Sequence, residues 1–138
     1  MFDVSGTERL TEWRKIRDDL QNSSSPYNSV LEVWKRAPLV NPYLDPNDPG
    51  SWPDPWHLIL DNRYDELALA LGIVYTLGLS ERFMSTEIEI HMSISEDKIT
   101  DYFVVCEDVV IDVGCREIRS KSFISATAKS IWTYQNRI

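Results

Sequence analysis

The sequence predicts an α+β domain: N-terminal helices, then a buried central helix packed on an antiparallel sheet of three or more strands. Residues 64–77 are apolar on nearly every side (Leu67, Ala68, Leu69, Ala70, Leu71, Ile73, Val74, Tyr75, Leu77), as expected of a helix with protein all round it. Ile88, Ile90, Met92 and Ile94 then alternate with Glu87, Glu89, His91 and Ser93, the two-residue period of a half-buried strand. Two near-continuous apolar runs follow, DYFVVCE and VVIDVG, parted by the polar pair Glu107-Asp108, which marks a tight turn between antiparallel neighbours.

The N-terminal elements read in the same way. Residues 5–21 form an amphipathic helix, with Ser5 and Glu8 at capping-box spacing and Leu10, Trp13, Ile16 or Arg17, and Leu20 on one stripe. The run from Asn22 to Ser25 breaks it. Pro26 suits the first turn of a second helix, which packs through Val30, Leu31, Val33, Trp34 and Ala37 and stops before Pro38. Residues 1–37 are thus expected to make a helical arm.

Between Pro38 and Pro55 six prolines fall in 18 residues, so helix and sheet hydrogen bonding are both blocked and an ordered, extended connector is expected over 38–55. Tyr43, Trp52 and Trp56 argue that it lies on the protein, since rings of that size gain nothing from swinging free. Asp54 and Pro55 supply an N-cap and a first-turn proline for a short helix over Trp56 to Leu60, and a second start signal at Asp61 or Asn62 opens the central helix. Gly78 and Ser80 end it. Glu96-Asp97 makes the first strand turn. Residues 115–138 fit either a short strand followed by a helix using Ile124, Ala128 and Ile131, or strands throughout. Residues 56–138 form the α+β core, with the whole chain one domain.

Length, composition and charge limit the functions. A chain of 138 residues, 43% hydrophobic and with five Trp, six Tyr and four Phe, has enough apolar surface to close a core unaided. No apolar run reaches the roughly 20 residues of a bilayer span, and MFDVSGTERL has neither a basic nor an apolar leader segment, so no membrane partner or export is expected. Cys106 and Cys115 lack metal-binding or CxxC spacing and read as buried free thiols. The net charge of −8 divides into 0 over residues 1–37, −12 over 38–113 and +4 over 114–138. Phosphates would be repelled by the acidic centre, so nucleic acid is not an expected partner. A solvated acidic face is the simpler reading of this asymmetry, ahead of a site for a basic partner; an acidic patch meeting the tail of a neighbouring copy is the alternative. There is no GxGxxG, Walker A or HExxH motif, and five glycines leave little room for a phosphate loop; no cofactor is expected.

Residues 61–113, a buried helix followed by a strand meander, resemble the transglutaminase-like and papain-like superfamily. In that family DYFVVCEDVVIDVG would be the strand pair in which a catalytic His opens one strand and a catalytic Asp closes the next. The stretch WPDPWHLILDNRYDELALALGIVYTLGL also resembles uncharacterised proteins of tailed bacteriophages. The family chemistry implies a Cys thiolate at the helix start, its pKa lowered by the helix dipole, beside an Asp-oriented His. Position by position, the nucleophile place holds Asp65 or Tyr64, the His place holds Asp101, and Asp112 alone fits. An aspartate caps a helix well but is a poor acyl-transfer nucleophile and a poor base near neutral pH.

Other constellations have simpler explanations. Glu87, Glu89 and His91 share a strand face, but a rise of about 3.3 Å per residue spreads them too far to converge on a metal. His57 in its short helix suits a structural role. Asp61, Asp65 and Glu66 suit the positive end of a helix better than paired acid/base work. Tyr43, Trp52 and Trp56 are the candidate interaction residues, as a clasp over the helix, a protein-binding hot spot or a glycan or peptide platform. The sequence therefore predicts a non-enzymatic virion structural protein of a tailed bacteriophage, a neck, tail or baseplate component assembled in the host cytoplasm. It would bind other virion proteins in multiple copies. The alternatives are a cysteine-peptidase or transglutaminase-like enzyme with a rearranged site, and a small glycan- or peptide-binding module.

Overall fold

A computed structural model describes residues 1–124 and 128–135. Among these are four α-helices, α1 (Gly6–Asp19), α2 (Pro26–Trp34), α3 (Pro55–Asp61) and α4 (Glu66–Gly78). Five strands follow, β1 (Ile88–Ile94), β2 (Thr100–Cys106), β3 (Val109–Asp112), β4 (Glu117–Ser120) and β5 (Lys129–Tyr134). They make one antiparallel sheet in the order β4-β3-β2-β1-β5, with the helices on one face: an α+β fold. Three hairpin turns place non-glycine residues in the left-handed region, Lys98 at φ 61°, Glu107 at φ 55° and Arg116 at φ 56°. No described helix is long and apolar enough to cross a membrane.

The core is continuous from the first helix to the sheet. Every residue of α4 except Glu66 is buried, and the helix rests on Ile88, Ile90, Tyr102, Val104 and Ile111. Trp13 and Trp34, from α1 and α2, are fully buried on its other side. Each needs a partner for its indole N–H, and Thr76 supplies both: Trp13 Nε1 donates to Oγ1 at 2.9 Å and Trp34 Nε1 at 3.0 Å. The Thr76 hydroxyl spends its own proton on the Gly72 carbonyl at 2.6 Å, which uses its full capacity. Gly72 is glycine because the Trp34 ring lies where a side chain would start; a Cβ there would be 2.3 Å from the ring.

Three local expectations are corrected or resolved. Ser5 stands at the N-cap of α1 by backbone, yet its side chain makes no capping hydrogen bond, so the Ser5–Glu8 box does not form. Trp13 and Leu20 of the expected stripe are buried and Leu10 packs partly buried against the core, but Arg9, outside that stripe, is buried as well; its guanidinium donates to the carbonyls of Val4 at 2.9 Å and Ile59 at 3.4 Å. Past residue 115 the helix alternative gives way to the strand alternative, with Ile131 in β5, because β1 has an open edge and β5 fills it: Trp132 pairs with Ile90 and Tyr134 with Ile88, and both rings meet Tyr75 of α4. Ile124 packs instead on the far face of the sheet with Phe103, Val105 and Val110. The part of the C-terminal expectation that falls on 125–127 and 136–138 lies outside the described residues.

Candidate functional site

The chain enters α4 extended at Asp65 (φ −81°, ψ −178°), which points the carboxylate back over the first turn. Oδ1 accepts the Ala68 N–H at 2.7 Å, while Oδ2 accepts the N–H groups of Tyr43 at 2.8 Å and Leu44 at 2.9 Å. Asp65 is 3% exposed. One carboxylate thus caps the helix and ties down the proline-rich connector, which also pairs through the Val40 N–H donating to the Tyr64 carbonyl at 2.9 Å. Proline removes backbone donors from the connector and bars regular pairing, so these few charge-assisted bonds carry much of its attachment.

Asp101 and Asp112 do not join Asp65. Alternation along β2 sends Tyr102, Val104 and Cys106 toward α4 and Asp101, Phe103 and Val105 to the far face, where Asp112 also lies beside Val110 of β3. Asp112 accepts the Cys115 N–H at 3.2 Å and pairs with Arg119 at 3.7 Å; Arg119 reaches Glu117 at 2.6 Å. The sheet therefore separates the nucleophile-position aspartate from the other two.

The imidazoles and thiols are engaged elsewhere. His57, exposed on α3, lies 2.7 Å from Asp54, whose hydrogen bond and charge raise its pKa; His91 lies 3.2 Å from Glu89 on β1. Cys106 is pushed up to about 11 by burial, and exposed Cys115 is raised by the neighbouring Asp112 charge, so both stay protonated near neutral pH. Glu87 falls before β1, and the described residues hold no group of three side chains able to grip a metal.

The three aromatic candidates occupy three settings. Trp52 is buried, donates Nε1 to the Asp45 carbonyl at 2.7 Å and meets Trp132 edge-on at 5.5 Å, fixing the connector to β5. Tyr43 is 41% exposed, its hydroxyl donating to the Arg63 carbonyl at 2.6 Å. Trp56, 48% exposed, stands edge-on to Trp13 with Arg17 beside both rings. Tyr43 and Trp56 line different cavities.

What the sequence did not single out is a cleft of about 590 Å³ between the connector, the first turn of α4 and the start of β2. Leu39, Val40, Leu44, Leu67 and Tyr102 line it, with Glu66 at its rim. Leu39 and Val40 are 51% and 37% exposed, side by side at the cleft. Tyr102 has its pKa raised by burial and then by the charges of Asp65, Glu66 and Asp45, which records how acidic the surroundings are. No described Lys or Arg lies within ion-pair distance of Glu66. The signal available in the sequence was the pair Leu39-Val40 between Pro38 and Pro42, aliphatics in a stretch unable to form a strand. The cleft holds no thiol or imidazole; it can bury an apolar side chain and neutralise a cation beside it. Comparison with protein-family models, with curated proteins and with solved structures finds no match for the chain.

Proposed function

We propose that this protein is a non-catalytic component of an assembly, working through protein–protein contacts, with the acidic-rimmed apolar cleft beside α4 as a docking surface. One observation carries the proposal: the helix start where a nucleophile would stand is filled by Asp65, whose carboxylate is consumed by three backbone donors. Beside it the chain leaves aliphatic side chains uncovered, as interaction surfaces do. The resemblance of residues 52–79 to tailed-bacteriophage proteins supplies the setting, a virion neck, tail or baseplate. Quantitative mass spectrometry of purified particles tests this. The chain is expected in several stoichiometric copies per particle, and its absence from particles would overturn the virion setting. Turnover in an amide hydrolysis or transamidation assay that Asp65→Ala or Asp112→Ala abolishes would overturn the non-catalytic role.

A further inference from the structure

Two exposed features lie on opposite faces of the sheet and match in chemistry. The first is the cleft, on the helix-bearing side of the sheet at the Thr100 end of β2, apolar through Leu39, Val40 and Leu67 and acidic through Glu66. The second is the turn Lys121–Phe123 after β4. Phe123 is 45% exposed and rests on the far face against Phe103, with ring centroids 6.3 Å apart. Lys121 is exposed, its N–H donating to the Asp108 carbonyl at the β2–β3 turn, and its ammonium has no carboxylate partner among the described residues.

We infer that the cleft of one copy receives the Lys121–Phe123 turn of a second copy, Phe123 covering Leu39 and Val40 while Lys121 meets Glu66. This rests on the proposed role of the chain as an assembly component and names one of its partners. Charge favours it, since the cleft belongs to the segment of net charge −12 and the turn to the segment of net charge +4. The two features sit on opposite sheet faces, Phe123 against Phe103 only about 10 Å along β2 from Thr100 of the cleft at a strand rise of about 3.3 Å, and with the sheet between them no molecule can satisfy both within itself. A contact between two different patches is head-to-tail, and repetition of it builds a ring or a filament rather than a closed dimer.

Charge reversal with complementation tests this. Sedimentation velocity of the full chain up to about 300 µM, which reaches weak contacts, is expected to show concentration-dependent association. Glu66→Lys and Lys121→Glu should each weaken it by about tenfold or more. Mixing the two variants should restore it, because each supplies the half that the other has lost. Should Glu66→Lys fail to fold by circular dichroism, Leu39→Asp and Phe123→Asp replace the pair, each expected to abolish association alone. A wild type monomeric over the whole range, variants that associate like wild type, or charge-reversed partners that stay monomeric when mixed would each overturn the inference. A monomer still found among other proteins in particles would leave the assembly role standing, whereas self-association by a chain absent from particles would leave only this contact.

Discussion

Replacing Asp65 by alanine separates a structural clasp from a catalytic remnant. The substitution removes the N-cap of α4, worth about 0.5–2 kcal/mol. It also strips the acceptor from the Tyr43 and Leu44 N–H groups, both part-buried. A fully buried orphan donor costs about 1–3 kcal/mol; the lower part of that range applies here, because the space left by the carboxylate admits water. The sum is about 3–5 kcal/mol, a large fraction of the roughly 5–15 kcal/mol that a domain of this size has in hand. Urea unfolding followed by circular dichroism measures it, with Asp101→Ala as the control. Asp101 is half-exposed on the far sheet face, and its replacement is expected to cost under about 0.5 kcal/mol. Asp65→Asn should fall between, since one amide oxygen can replace one carboxylate oxygen while the amide N–H₂ faces donors. Residues kept for chemistry often cost stability, and their removal then stabilises. A loss below about 1 kcal/mol for Asp65→Ala, or a gain, would refute the clasp.

Further outcomes follow from the same contacts. Thr76→Val keeps the shape but orphans two buried indole N–H groups, for an expected loss of about 2–5 kcal/mol in urea unfolding. His57 should titrate above its ordinary 6.5 by NMR and return toward it in Asp54→Asn. Because its folded pKa is raised, its stabilising contribution is whole below 6.5 and is lost as pH rises through the folded midpoint. The depressed Asp54 adds a contribution present above 3.8 and lost as pH falls through its own folded midpoint. The exposed thiol of Cys115 should react slowly with a disulfide reagent at pH 8 and faster in Asp112→Asn, while Cys106 reacts only on unfolding.

The sequence reveals most where one periodicity dominates. The all-round apolarity of residues 67–77 and the two-residue period after Glu87 placed α4 and β1 within two residues of their observed ends. Asp54, read as an N-cap, accepts the His57 N–H, whereas the start signal read at Asp61 or Asn62 is in fact the end of α3, and Asp65 caps α4 through the Ala68 N–H. Where several contacts compete, local pattern falls short. Arg9 took the inner face of α1 because Trp13 fixed the helix rotation and the Val4 and Ile59 carbonyls received the guanidinium. Residues 115–138 fit a helix or strands equally well in sequence, and the free edge of β1, which lies outside that stretch, decides for the strand at Lys129–Tyr134. Asp65, Asp101 and Asp112 were singled out through family spacing, but spacing does not encode which sheet face a residue takes once the register is set. The cleft is a product of three segments far apart in the chain, so its only trace in sequence is the misplaced pair Leu39-Val40.

The most direct test of a role through contacts at this cleft uses Lys98, on the β1–β2 turn just before Thr100 of the cleft wall. Amine cross-linking of assembled particles, read by mass spectrometry, is expected to join Lys98 to another polypeptide or to a second copy. Lys98 found only in intrachain links, and labelled as fast in particles as in the free chain, would contradict it.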